Sequence, residues 1–65
     1  MSVVAACYIM HRKILNTLKE EGKIPSDKNM RNTNLRELIN LYGVERFTKE
    51  VKEANLDIPD SLLNM

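Results

Sequence analysis

The sequence predicts a small all-α fold, a three-helix bundle closed by a short C-terminal helical turn. Apolar residues recur at helical spacing in three segments. Glycine or proline residues stand at the ends of these segments, where they favour helix termination. We expect helices at about 3–21, 35–42 and 44–54 and a turn at about 59–63. Residues 1–65 are expected to form a single domain, of a size that often needs oligomerisation, a metal or disulfides to supplement its core.

The first predicted helix is the most apolar segment of the chain. Ser2 is a suitable N-cap. Gly22 followed by Ile24-Pro25 predicts the end, because glycine favours the left-handed position after a helix and proline prevents continuation. At about 100° per residue, one core-facing stripe contains Val3, Cys7, Met10, Ile14 and Leu18. The residues that flank this stripe are Val4, His11 and Leu15.

The opposite side of this helix is polar in its second half and apolar in its first half. Ala5, Ala6 and Ile9 lie where solvent is expected, with Tyr8 at the edge. A helix that is apolar nearly all round needs cover on more than one side, and a contiguous exposed apolar patch is unusual on a monomer. We therefore predict a partner-binding face formed by Val4, Ala5, Tyr8 and Ile9. The alternative is a frayed N-terminus with a few tolerated apolar side chains.

The connector at 22–33 is irregular and locally basic. We expect Ile24 and Met30 to anchor it in the core and Ser26 to cap a short turn. An alternative function, contact with a nucleic-acid backbone, would use Lys23, Lys28, Arg31 and Arg36. We favour a solvated linker, because the segment lacks the glycines of phosphate-binding loops.

Residues 35–54 carry two apolar faces that one straight helix could not bury against a single core. The first face contains Leu35, Leu38, Ile39 and Tyr42. The second contains Val44, Phe47, Val51 and Ala54. Because these faces point roughly 150° apart on a helical projection, the chain is predicted to break at Gly43 and turn. Asn34 and Glu37 form a capping-box pattern at the start of the first of these two helices.

The third helix fits the pattern of a helix-turn-helix recognition helix poorly. Lys49 and Lys52 occupy places where such a helix is normally apolar, and the helix carries three glutamates, which repel phosphates. Arg46 and Glu50 are spaced to form an ion pair on its solvent side. After Asn55, a plausible helix-ending residue, Leu56 is expected to pack back.

Few side chains could carry catalysis or hold a metal. The chain has one histidine, one cysteine, three serines and no tryptophan, so we expect no enzyme and no cofactor. Cys7 and His11 are four residues apart, and a buried thiol beside a hydrogen-bonded histidine is the favoured interpretation. We expect no metal site within one chain, although a two-fold dimer could join two such pairs around zinc.

Charge and hydropathy favour a cytoplasmic protein without a membrane segment. Arg12 and Lys13 interrupt the apolar start well short of the roughly 20 residues that a membrane span needs. They also follow the apolar stretch, whereas the charge of a signal peptide precedes it. The lone cysteine rules out an internal disulfide and is typical of a reducing compartment.

The function that these patterns predict is a non-enzymatic protein–protein interaction module. It would form a homodimer, or dock on a protein partner, through the apolar first helix. The net charge of +1 predicts no general attraction to polyanions, although residues 1–36 carry +4 and residues 37–65 carry −3. Seven asparagines and six lysines are typical of small AT-rich genomes, so a phage or mobile-element accessory protein is one interpretation.

Overall fold

The computed structural model describes residues 2–56 and residue 58, and these residues form a bundle of three helices. Helix α1 spans Val3–Glu20, α2 spans Leu35–Tyr42 and α3 spans Val44–Glu53. This part of the chain contains no strand, and the predicted all-α fold is confirmed. The helix ends lie within one residue of those predicted. The predicted turn at 59–63 falls outside the described residues.

The ends of α1 are fixed by local hydrogen bonds that the sequence signals. The Ser2 hydroxyl oxygen accepts a hydrogen bond from the Ala5 amide at 3.1 Å, which caps the first turn. At the other end, Gly22 adopts a φ of +72°. The Lys23 amide donates to the Leu18 carbonyl at 2.9 Å, and the Gly22 amide donates to Lys19 at 3.1 Å. This paired arrangement is a Schellman motif, and it satisfies carbonyls that would otherwise lack partners.

Helix α3 ends in the same way, with Asn55 in place of glycine. Asn55 has a φ of +55°, a conformation that asparagine tolerates better than most residues. The Leu56 amide donates to the Val51 carbonyl at 3.1 Å, and the Leu56 side chain packs against the core. The predicted roles of both residues are confirmed.

The break between α2 and α3 occurs at Gly43, as predicted. Its φ of +105° is a conformation that L side chains rarely adopt, so backbone geometry rather than lack of space demands glycine there. Asn34 caps the start of α2 by accepting a hydrogen bond from the Arg36 amide at 2.8 Å. The turn allows both α2 and α3 to direct an apolar face at the same core.

The core lies between the inner side of α1 and the facing sides of α2 and α3. Its buried residues are Ala6, Met10, Ile14, Leu15, Leu18, Leu38, Ile39, Tyr42, Phe47, Val51 and Ile58. Ala6 is only 1% exposed, so its predicted position on the solvent side is wrong. The core covers a broader part of α1 than the predicted stripe, reaching Ala6 on one edge and Leu15 on the other.

Two end residues of the predicted apolar faces lie outside this core. Val3 is 37% exposed and Val44 is 44% exposed. Both begin a helix, and a first-turn residue has packing neighbours on only one side along the helix axis. Ala54, just after the last turn of α3, is also exposed. The buried part of α3 therefore reduces to Phe47 and Val51.

Side-chain packing and side-chain hydrogen bonds hold the connector between α1 and α2 in place. Ile24 and Met30 pack against the core, as expected. The Asn29 side-chain oxygen accepts hydrogen bonds from the Arg31 and Asn32 amides at 2.9 and 3.1 Å. Near Ser26 the backbone forms a turn in which the Lys28 amide donates to the Pro25 carbonyl at 3.2 Å.

Candidate protein-interaction face

The outer side of α1 carries a contiguous apolar patch. Val4 is 80% exposed, Tyr8 55% and Ile9 42%, while Ala5 is half-buried. These four residues occupy two successive turns at positions i, i+1, i+4 and i+5, so their side chains are neighbours on the helix surface. We call them the N-terminal apolar face. The structure thus brings together the four residues that the sequence selected.

In the first two turns of α1, the N-terminal apolar face points away from the two residues that hold this part of the helix in the bundle. Ala6 and Met10, in the same two turns, are each 1% exposed. Val4, Tyr8 and Ile9 keep 42% to 80% of their surface exposed, and removing that apolar surface from water would be favourable.

The character of the outer side changes abruptly after Ile9. Arg12, Lys13 and Asn16 are exposed in the next two turns. The Lys13 ammonium lies 3.9 Å from a Glu50 carboxylate oxygen on α3, and its side chain is still 54% exposed. The outer side of α1 is therefore apolar in its first two turns and cationic in the next.

His11 connects α1 to the connector. Its Nε2 atom lies 2.9 Å from the Thr33 hydroxyl oxygen. That hydroxyl donates its hydrogen to the Asn29 carbonyl at 2.7 Å, so it can only accept from histidine. The neutral His11 ring therefore carries its proton on Nε2. Burial lowers the pKa of His11 below its ordinary value of 6.5, which favours this neutral form.

Cys7 and His11 lie four residues apart on α1 but have different surroundings. Cys7 is half-buried beside the core, and the His11 ring is committed to Thr33. Among the described residues, no group of three histidine, cysteine or carboxylate side chains could hold a metal ion. The hydrogen bond between His11 and Thr33 attaches the connector to α1.

A network of polar side chains joins the three helices. Arg46 donates to both carboxylate oxygens of Glu21, at 3.2 and 3.0 Å. Its guanidinium carbon lies 4.0 Å from the centre of the Tyr42 ring. The Tyr42 hydroxyl donates to Glu50 at 2.5 Å, and Glu50 also faces Lys13. We call this set the interhelix polar network.

The sequence did not reveal this network. It suggested an ion pair between Arg46 and Glu50 within α3, whereas Arg46 pairs with Glu21 beyond α1 and Glu50 pairs with Tyr42 of α2. Spacing along one helix identifies possible partners on that helix only. The cross-helix partners depend on how the helices are packed.

Two side chains of the interhelix polar network have shifted pKa values. Burial, reinforced by the hydrogen bond to Glu50, raises the pKa of Tyr42 to about 12. The hydrogen bonds from Arg46 hold the pKa of Glu21 below its ordinary value. At neutral pH Tyr42 is therefore protonated and Glu21 is ionised.

The basic residues proposed as nucleic-acid contacts are distributed along the connector and the start of α2. Lys23 lies 3.6 Å from a Glu21 carboxylate oxygen, which offsets part of its charge. Arg31 is exposed, whereas Lys28 is half-buried. Arg36 lies in the first turn of α2. These basic residues thus follow one another along a single segment, and Lys23 has the acidic Glu21 beside it.

A second, smaller apolar area lies at the corner between α2 and α3. Leu41 is 48% exposed and Val44 is 44% exposed. Val44 also borders a shallow groove along α3, together with Glu45, Thr48, Lys49 and Lys52. A helical projection of α2 could have predicted that Leu41 is exposed, because Leu41 falls outside the buried face of that helix. Four of the five residues that line the groove carry a polar or charged group. The N-terminal apolar face, with three exposed apolar side chains on one helix, is the stronger candidate for an interface.

Comparison of the chain with protein-family models, with curated proteins and with solved structures finds no match. In the described part of the chain, no helix has the length and apolar character required to cross a membrane.

Proposed function

We propose that this protein is a non-enzymatic interaction module that self-associates through the N-terminal apolar face. The observation that carries the proposal is the exposure of Val4, Tyr8 and Ile9, at 80%, 55% and 42%, on one side of a single helix. Removing these side chains from water supplies the driving force for association.

The size of the patch predicts a weak and reversible association. Given ordinary side-chain sizes, the face exposes roughly 300 Å² of apolar surface per chain. Stable dimers bury about 800 Å² per partner. Because association also costs translational and rotational freedom, we expect a dissociation constant on the order of 10–100 µM.

A second copy of the chain is the occupant that we propose, because every copy carries the same exposed apolar face. Two identical faces related by a two-fold axis bury each other with no further sequence requirement. Self-association thus adds apolar burial that the single chain lacks.

Sedimentation equilibrium of the untagged chain, in reducing buffer with chelator, tests the proposal. We expect a monomer–dimer equilibrium that Ile9→Asp shifts toward monomer by at least about tenfold in dissociation constant, because the dimer would bury an unpaired carboxylate. Asn16→Asp is the matched control. It adds the same charge to the exposed side of α1 two turns later and should leave the equilibrium nearly unchanged.

Circular dichroism of the same variants separates association from folding. Ile9→Asp should retain the helix content of the original chain, because Ile9 is 42% exposed. Unfolding of this variant would show that Ile9 belongs to the core. A chain that stays monomeric at millimolar concentration would overturn self-association and leave the face for a different protein.

A further inference from the structure

We propose that residues 59–65, which we call the strap, fold across the N-terminal apolar face of their own chain and compete with a second copy for it. The competition rests on the proposed self-association and adds its regulation, whereas the strap contact itself lies within one chain. The inference follows from the direction in which α3 runs along α1 and from the sequence that follows Ile58.

Contacts between the helices show that α3 returns toward the start of α1. Near the start of α3, the Arg46 guanidinium lies 3.0 Å from a carboxylate oxygen of Glu21, just past the end of α1. One turn further along α3, a Glu50 carboxylate oxygen lies 3.9 Å from the ammonium of Lys13, which is about two turns back along α1. Helix α3 is therefore antiparallel to α1, and its last turn points toward the first turns of α1.

The chain that follows α3 joins the core at this end of the bundle. Leu56 packs against the core, and Ile58 is 9% exposed within it. Ala6, in the first two turns of α1, belongs to the same core. On a helical projection, Ile9 lies about 60° around the helix from Ala6, and Lys13, one turn after Ile9, faces α3. The strap therefore begins beside the Ile9 edge of the N-terminal apolar face.

The strap is long enough to cross this face. Seven residues span up to roughly 23 Å when extended. The arc from Ala6 past Ile9 to Val4 is about 200°, or roughly 19 Å at the outer radius of a helix. Ile9 is the nearest part of the face and Val4 the farthest, so the length of the strap reaches both.

The composition of the strap complements the face and its border. Leu62 and Leu63 are adjacent apolar residues, and Asp60 is the only charged side chain of the segment. Arg12 and Lys13 are exposed directly after the face. Asp60 comes first along the strap, at the edge where Lys13 lies, so it meets these cations while the leucines cover the apolar side chains.

A tethered segment competes effectively with a second copy. The tether holds the strap near the face at an effective concentration on the order of millimolar, whereas a second copy is present only at the concentration of the protein. If the strap is closed in about two-thirds of the chains, each partner of a dimer is open in about one-third. The two factors together raise the dissociation constant about ninefold.

Nuclear Overhauser effects in the unaltered chain test the strap without any substitution. At concentrations where sedimentation gives a monomer, we expect contacts between the methyl protons of Leu62 or Leu63 and the ring protons of Tyr8. Their intensity per chain should not change on dilution, because the contact lies within one chain. Absence of contacts from both leucines to Tyr8 and Ile9, or contacts that disappear on dilution, would overturn the strap.

A pair of double variants tests the competition. Leu62→Asp with Leu63→Asp removes the apolar contact, and Ser61→Asp with Asn64→Asp is the matched control, which adds the same two charges to the same segment. We expect the leucine variant to shift the amide signals of residues 4–9 and to lower the dimer dissociation constant about tenfold. The control should change the dissociation constant by less than about twofold.

The outcomes separate the strap from self-association. Loss of helix content in the leucine variant, measured by circular dichroism, would place the leucines in the core and overturn the strap. A dimer whose dissociation constant is the same in the leucine variant and the control would overturn the competition. Overhauser contacts to Tyr8 without a dimer in any variant would overturn self-association and leave the strap in place.

Discussion

The two sides of α1 are both apolar in the first turns, yet they face different environments. On the inner side, Ala6 and Met10 are each 1% exposed against the other helices. On the outer side, Val4 is 80% exposed and Tyr8 is 55% exposed. The inner side stabilises the fold, and the outer side is the face that we propose for association. Apolar character alone therefore does not distinguish a core from an interface.

The adjacent alanines Ala5 and Ala6 provide the sharpest test of this comparison. Ala6→Asp places a carboxylate in the core, and we expect it to cost about 3–5 kcal/mol, enough to unfold a domain of this size. Ala5→Asp should preserve folding and weaken self-association instead. Urea unfolding followed by circular dichroism measures the first effect, and sedimentation equilibrium measures the second. Equal loss of folding in both variants would show that the two sides of α1 are not distinct.

The two tyrosines extend the comparison to hydrogen bonding. Tyr42 is 4% exposed and donates to Glu50, whereas Tyr8 belongs to the outer side. Tyr42→Phe removes one donor from the interhelix polar network and should lower the free energy of unfolding by about 1–2 kcal/mol without changing the dimer dissociation constant. Tyr8→Phe is the matched control and should alter stability by less than about 0.5 kcal/mol. Similar losses in both variants would contradict a structural role specific to Tyr42.

His11 predicts a smaller effect, visible as a dependence of stability on pH. Its pKa is lowered in the folded chain by burial, so the unfolded chain binds a proton first as the pH falls below about 6.5. The free energy of unfolding should therefore decrease as the pH falls from about 6.5 through the lower pKa of the folded chain. Urea unfolding between about pH 7.5 and 5 measures this slope.

His11→Asn should reduce that slope, since it removes the titrating ring. Thr33→Val retains the ring and removes the oxygen that accepts its Nε2 hydrogen, so the variant should be less stable at neutral pH. A slope that persists unchanged in His11→Asn would assign the dependence to another group.

Much of the fold could be predicted from the sequence because its signals are local. Ser2, Gly22 and Asn55 define helix ends through backbone hydrogen bonds formed within a few residues. Gly43 breaks the chain where two apolar faces diverge, and its positive φ agrees with that prediction. The four residues of the N-terminal apolar face were also selected from helical spacing alone.

Other features depend on packing between helices and were missed. The solvent-facing position predicted for Ala6 is wrong because the core extends around that edge of α1. The partner of Arg46 is Glu21, 25 positions away in sequence, rather than its helical neighbour Glu50. The spacing of residues along one helix cannot reveal either feature, because both depend on contacts between helices.

The sequence by itself determined the helical class, the helix ends and the presence of excess apolar surface near the N-terminus. These properties follow from backbone conformation and from spacing along one chain segment. Only the tertiary structure decided how far the core extends around α1 and which charges meet across helices. Helices rotate about their axes to bury the most apolar surface together, and that rotation is fixed by all three helices at once. Here it buries Ala6 and leaves Tyr8 at the surface.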